Sequence, residues 1–265
     1  VKHVTAIAGR ELRSLFVSPT AYVVLTLWAI LAAVFFLSSL VSFQMELVRI
    51  QQFQQFELAR SWNLNDHLIA PFVASMWIVL IFVVPGITMG LFASEKTNGT
   101  EELLLTSPLT IWEIVIGKFL AGAVFVGLMT AVVAFFPGVL FVYGDPETGK
   151  TASCLMALFL LSLSYVAVGA FASSVTRNQL IAFFLALVIL LVMLMLGFLS
   201  NIVGQGAPGG FMASAGDVLR WLAPDEHFQN MLQGLVETAD LAYFAVVIGT
   251  FLLLAKASIE SVRWR

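Results

Sequence analysis

The sequence predicts an all-α, polytopic membrane protein with six transmembrane helices, and three observations predict it. The first is composition: 60% of the 265 residues are hydrophobic and only 11% are charged, and the mean hydropathy is +0.98. The second is length: six apolar stretches, at about 20–42, 69–93, 117–143, 152–176, 179–203 and 240–256, suit a bilayer core that a helix of roughly 20 residues crosses. The third is placement: every Asp, Glu, Lys and Arg falls at the ends of these stretches or outside them. The last stretch is the weakest, because its apolar run from Leu241 to Ala255 is short for a full crossing.

Taken in order, residues 2–17 read as an amphipathic helix lying on a membrane surface. At about 100° per residue Val4, Ile7, Ala8, Leu12, Leu15 and Phe16 share one arc, and Lys2, Arg10 and Arg13 lie opposite. Ser18-Pro19 ends that helix and turns the chain into the first span. The span is longer than the apolar core of a secretory signal, about 7–15 residues, so it is expected to remain as a transmembrane helix. The loop 43–68, rich in glutamine and aromatics, reads as an interfacial helix extension. The stretch 204–239 opens on a flexible GQGAPGG and then shows Phe228, Met231, Leu232 and Leu235 at helical spacing after Pro224-Asp225-Glu226. That stripe suits a helix dipping into the bilayer or capping the bundle. Pro85-Gly86 and Pro137-Gly138 mark candidate kinks, and Gly86 and Gly90 form a G-x-x-x-G that hints at close helix packing.

Basic residues set the orientation. Lys2, Arg10, Arg13, Lys96, Lys118, Arg177, Lys256, Arg263 and Arg265 fall on one set of connections, against only Arg49, Arg60, Lys150 and Arg220 on the other. Both termini are therefore expected to be cytoplasmic. Ten of the sixteen acidic residues lie on the opposite, outer set, so the acidic balance gives no reason to expect a nucleic-acid partner.

Several chemistries find no support. Ion-driven pumps keep ionisable relays inside their spans, whereas the spans here carry mild groups such as Thr130, Ser162, Ser164, Ser173 and Ser174, suited to helix packing and backbone hydrogen bonds. Uphill transport would then draw energy from another chain. Cys154 is the single cysteine, so no intrachain disulfide forms, and His3, His67 and His227 are too scattered for a metal site. GDPETGKT, residues 144–151, fits the phosphate-loop pattern, but it joins two membrane helices where a phosphate loop needs a strand leading into a helix of an α/β sheet. It reads as an ordinary turn. An intramembrane enzyme would need a convergent nucleophile, base and oxyanion donor, which the sequence does not offer.

The connection between spans two and three is different: residues 94–118 hold four glutamates and two lysines. Thr97-Asn98-Gly99 reads as a turn, Thr100 as a helix cap, and Glu101 and Glu102 lie in that helix's first turn, where its positive end favours them. Ser107-Pro108 stops the helix, and Thr110 with Glu113 has capping-box spacing for the next. A short helix with paired glutamates and an exposed Leu103-Leu104-Leu105 suits docking to another protein.

At these residues the chain resembles type-2 ABC transporter permeases, whose pattern between the second and third spans is matched by EKTNGTEELLLTSPLTIWEIVIGKF. The resemblance is nearest to the gliding-motility-associated (GldF-type) branch, through RELRSLFVSPTAYVV (10–24), APDEHFQNMLQGLVETADLAYF (223–244) and the tail ASIESVRWR. It implies a single permease domain over 1–265, with an interface helix at 1–19, a cytoplasmic coupling segment at 94–116 and an extracytoplasmic helical segment at 204–239. It also implies partners: a cytoplasmic ABC ATPase dimer holding the ATP and magnesium, and a second permease copy or related membrane subunit, which in gliding-type relatives works beside a large extracytoplasmic domain. No cofactor belongs to this chain itself. The motif carries over to Glu95, Gly99, Thr100, Glu102, Leu103, Leu104 and Pro108, and the N-terminal helix to Arg10, Glu11 and Leu12; His227 and Asp240 also match, with no role attached. Glu101 joins the ATPase-contact set by its position beside Glu102. The expected function is a bacterial inner-membrane permease subunit that couples ATP hydrolysis in partner chains to export. A non-transporting subunit that transmits force to an outer partner stays open.

Overall fold

The computed structural model describes residues 2–53, 62–100, 109–205 and 211–263. Helix α1 (Lys2–Val17) leads through Ser18 into α2 (Pro19–Gln52). A π-helical turn (Asn65–Ile69) runs into α3 (Ala70–Thr88) and α4 (Gly90–Asn98), followed by α5 (Ile111–Tyr143), α6 (Thr148–Val175), α7 (Gln179–Gln205), α8 (Phe211–Leu222), α9 (Pro224–Leu232) and α10 (Thr238–Arg263). Six of these helical runs are long and apolar enough to cross a membrane: α2, the run Asn65–Asn98, α5, α6, α7 and α10. The sixth is longer than its apolar run, because it continues past Lys256 for two further turns.

The caps explain the boundaries. Ser18 accepts from the Thr20 N–H and places Pro19 in the first turn, where a missing N–H costs nothing. Thr110 and Glu113 form the reciprocal box: Thr110 Oγ1 accepts from the Glu113 N–H and Glu113 Oε2 from the Thr110 N–H. Pro85 and Pro137 both lie inside continuous helix, and the interruption of the second span comes after Pro85, at Met89.

Lipid is as apolar as a leucine side chain, so close packing and hydrogen bonds, not hydrophobicity, decide which helices meet. Span four, α6, is central: two thirds (67%) of its most apolar window is buried, against 17% for α2. Its small residues Ala157, Ala167, Gly169, Ala170, Ala172, Ser173 and Ser174 let neighbours approach. Trp77 Nε1 donates to Tyr165 Oη at 2.6 Å and joins α3 to α6; Trp28 Nε1 donates to the Met129 carbonyl at 2.9 Å and joins α2 to α5. Ser162, Ser164 and Thr130 return their hydroxyls to carbonyls of their own helices.

Three sequence expectations need correction. Gly86 and Gly90 face open space rather than a helix; the close contacts are at Gly117, Gly122 and Gly169. Leu235 does not continue the stripe of Phe228, Met231 and Leu232, because α9 ends at Leu232 and Gly234 takes φ +88°, leaving Leu235 exposed. Lys118 is not at the edge of its span: α5 begins at Ile111, so Lys118 lies two turns inside and is 1% exposed. The GDPETGKT turn has no strand before it; Asn65 grips its backbone through the Glu147 N–H and carbonyl, and Lys150 pairs with Asp66.

Candidate functional site

Helix α1 packs on the start of α5 because Gly117 has no side chain. A Cβ there would lie 2.8 Å from Ile7 Cβ and 3.2 Å from the Val4 carbonyl. This approach sets Glu11, one turn beyond Ile7, beside Lys118. The Lys118 ammonium has three N–H donors and meets three acceptors: Glu11 Oε1 at 3.1 Å, Glu95 Oε1 at 3.0 Å and the Leu91 carbonyl. It also stands 5.2 Å from the centre of the Phe92 ring. Arg10 completes the cluster, reaching Glu11 Oε1 at 2.9 Å and Glu95 Oε1 at 3.2 Å. Its hydrogen bond to Glu11 outweighs partial desolvation and, with the charges of both carboxylates, pushes the guanidinium above its ordinary pKa. Two cations and two carboxylates thus tie α1, α4 and α5 together with no net charge.

The backbone holds Glu95 in place. Gly99 ends α4 at φ +68°, a conformation that favours glycine, and the N–H groups of Gly99 and Thr100 both return to the Glu95 carbonyl. Lys96 Nζ donates to the Ser174 carbonyl, and Thr97 Oγ1 to the Ala93 and Arg177 carbonyls. The Lys96 bond satisfies a carbonyl in the last turn of α6, where carbonyls lack helical partners and favour a cation.

Ser173 makes a second device. Its Oγ accepts from the Phe92 and Ala93 N–H groups at 2.9 and 3.0 Å and donates to the Met89 carbonyl at 2.9 Å. In an unbroken helix those N–H groups would pair with the Thr88 and Met89 carbonyls. With Met89 as the N-cap of α4, the Phe92 N–H lacks its Thr88 partner, and the hydroxyl supplies one, a side chain inserted at the interruption. Ser173→Ala is expected to strand these groups and cost about 2 kcal/mol. Unfolding in detergent measures this cost, and faster hydrogen exchange at the Phe92 and Ala93 amides locates it.

The structure thus brings Arg10, Glu11 and Glu95 together. Gly99 and Thr100 form the cap behind them, while Glu101, Glu102, Leu103, Leu104 and Pro108 lie outside the described residues. Sequence reasoning missed Lys118 as a partner of this set, although counting seven residues on from Ile111 would have moved it inside the helix.

At the other end of the bundle, His227 Nδ1 is 2.7 Å from Asp240 Oδ1 and Nε2 is 3.1 Å from the Trp221 carbonyl, with the ring stacked on Tyr243 at 4.2 Å. This pair, with Tyr243 Oη donating to the Leu222 carbonyl at 2.9 Å, fastens α8 and α9 to α10. No group of three or more His, Cys, Asp or Glu arranged to hold a metal occurs among the described residues.

A family model described as "ABC-2 family transporter protein" matches residues 5–259. Two relatives, each named "Probable multidrug ABC transporter permease YbhR", come from Escherichia coli strain K12 and Escherichia coli O157:H7. Each is 30% identical over 139 residues, which is 52% of this chain and 36% of the relative, so the match covers about a third of the relatives' length. The family match, by contrast, runs from the first turn of α1 into the last turns of α10 and takes in all six apolar helices, and the chain belongs to the ABC-2 transporter family as a membrane permease.

Proposed function

We propose that the protein is the membrane subunit of an ATP-driven export complex in a bacterial inner membrane, moved by a separate cytoplasmic ATPase dimer. The observation that carries this reading is the Arg10–Glu11–Glu95–Lys118 cluster. It links the N-terminal helix, the helix leading into segment 94–116 and the start of the third span. Displacement of either α1 or α4 is therefore passed to α5 through charged hydrogen bonds. Lys and Arg counts support placing this end, and both termini, in the cytoplasm. We read α1 as the interface helix, 94–116 as the coupling segment and 204–239 as the outer segment of one permease domain.

Because Glu95 Oε1 is shared by Lys118 and Arg10, we assign contact with basic ATPase residues chiefly to Glu101 and Glu102. Glu95 then relays the movement inward. A second permease copy or related membrane subunit completes the complex. The gliding-motility-associated branch is the finer family reading, resting on residues 10–24 and 223–244, and it brings in a partner with a large extracytoplasmic domain. The relatives' names support transport over force transmission alone.

Glu101→Lys with Glu102→Lys is expected to weaken ATPase binding about 100-fold or more, since two charge-assisted contacts are each worth roughly 1.5–3 kcal/mol. Co-purification and ATP turnover check it. Unchanged assembly and turnover would sink the docking assignment.

A further inference from the structure

At the end of the bundle opposite α1, a cavity of about 460 Å³ opens between α3, α7 and α9. Its walls are Trp77, Ile78, Leu194 and Phe198, and its polar groups include Asp225 and Gln229. This volume is within the drug-sized range of roughly 300–1,000 Å³. Room for it comes partly from Gly197, where a Cβ would lie 3.3 Å from Asp225 Cβ and 3.5 Å from Oδ2. Any larger side chain at position 197 would push against the carboxyl group.

Among the described residues, the charges around the cavity leave one acid over. Arg220 Nε pairs with Glu226 Oε2 at 3.4 Å, across from α8 to α9. Glu226 and Arg220 thus offset each other, and Gln229 supplies Asp225 with a neutral hydrogen bond. Ser75, also on the wall, already donates its hydroxyl to the Pro71 carbonyl at 2.8 Å. Asp225 lies in the first turn of α9, whose positive end favours an acid. Even so, burial holds the carboxyl above its usual pKa, the mark of a charge that its surroundings do not fully offset.

We propose that this cavity binds an amphiphilic monocation, its apolar body against Trp77, Ile78, Leu194 and Phe198 and its charge beside Asp225. Aromatic walls favour such a ligand twice, by apolar contact and by attraction of a cation to the ring face. A neutral acyl chain would fill the walls and leave the carboxyl unpaired, and an anion would meet it with repulsion. The proposal rests on the export reading only for the ligand's later passage, and binding is measured without any ATPase.

The experiment is equilibrium binding to the full chain in nanodiscs. The probes are tetraphenylphosphonium and tetraphenylborate, which share shape and differ in sign. The native chain is expected to prefer the cation by about tenfold or more over its anionic twin, after correction for partition into empty nanodiscs. Asp225→Asn should remove that preference, Asp225→Glu should keep it, and Gly197→Leu should weaken both ions. Equal binding of the two ions, no binding of either, or an Asp225→Asn protein that is folded and keeps the preference overturns the proposal. If Asp225→Asn does not fold, the sign preference of the native chain and the weakened binding of both ions to Gly197→Leu decide. Cation binding that competes with self-association of the chain would assign the cavity to a second copy and also overturn it. A failed ATPase-docking test would leave all of these outcomes unaffected.

Discussion

Lys118→Met is expected to cost about 3–5 kcal/mol, enough to unfold many marginally stable domains. The size follows from what remains, not from the strength of the pair itself. Removing the ammonium leaves Glu11 and Glu95 facing each other, both side chains only 18% exposed, with Arg10 as their sole described cation. It also withdraws a donor from the Leu91 carbonyl. The thioether would fill the space, so the cost is electrostatic. Accordingly, Lys118→Met combined with Glu11→Gln and Glu95→Gln is expected to recover most of the loss, because the one charge left, on Arg10, is 57% exposed and keeps its hydration. Thermal unfolding of the three proteins in detergent measures this, and a triple variant as unstable as the single would assign the cost to packing. The triple variant also separates stability from transmission: it should fold while coupling ATP turnover poorly.

Gly169→Ala is the second large effect, and here two terms oppose. Alanine favours helix over glycine by about 1 kcal/mol, yet its Cβ would fall 1.9 Å from Thr88 Oγ1 and 2.6 Å from Thr88 Cβ. A new rotamer of Thr88 relieves the first clash but not the second, because Cβ is fixed to the backbone. The helices α3 and α6 must therefore separate along the central seam, and overpacking of about 3 kcal/mol wins over propensity. Thr88→Ala should rescue little, whereas Thr88→Gly should rescue most of it, leaving a helix weaker by about 1 kcal/mol. Unfolding of the two double variants checks the order, and equal rescue by both would count against the steric account.

The fold was largely legible because a bilayer imposes a length and a polarity that a single sequence displays directly. Ser18-Pro19, Gly99 and the Thr110–Glu113 box were legible for a similar reason, since their hydrogen bonds are made within a few residues. What could not be read is what depends on distant partners. Lys118 looks like a charge at the edge of its span, and only the placement of Glu11 and Glu95 makes it the centre of a cluster. Ser173 looks like one of several mild hydroxyls, yet Ser162 and Ser164 bond their own helix whereas Ser173 bonds another. Gly169 makes a small-x-x-x-small pair with Ser173 that nothing along the chain singles out, while the more recognisable Gly86–Gly90 pair faces open space. Helix α8 was missed behind the glycine-rich approach, whose loop signal hid the helical residues that follow.

The Ser173 hydroxyl has a mechanical meaning. By carrying rungs of the second span, it makes the last turns of α6 part of that span's backbone, and Ser258 of α10 is joined to the same assembly through the Ser174 carbonyl at 3.0 Å. A push on α4 therefore cannot be absorbed by bending at Met89 alone. It is expected to move the ends of three spans as one lever, with bending taken up at Pro85-Gly86, where the proline has removed a rung and a bare glycine borders an open cavity of about 560 Å³.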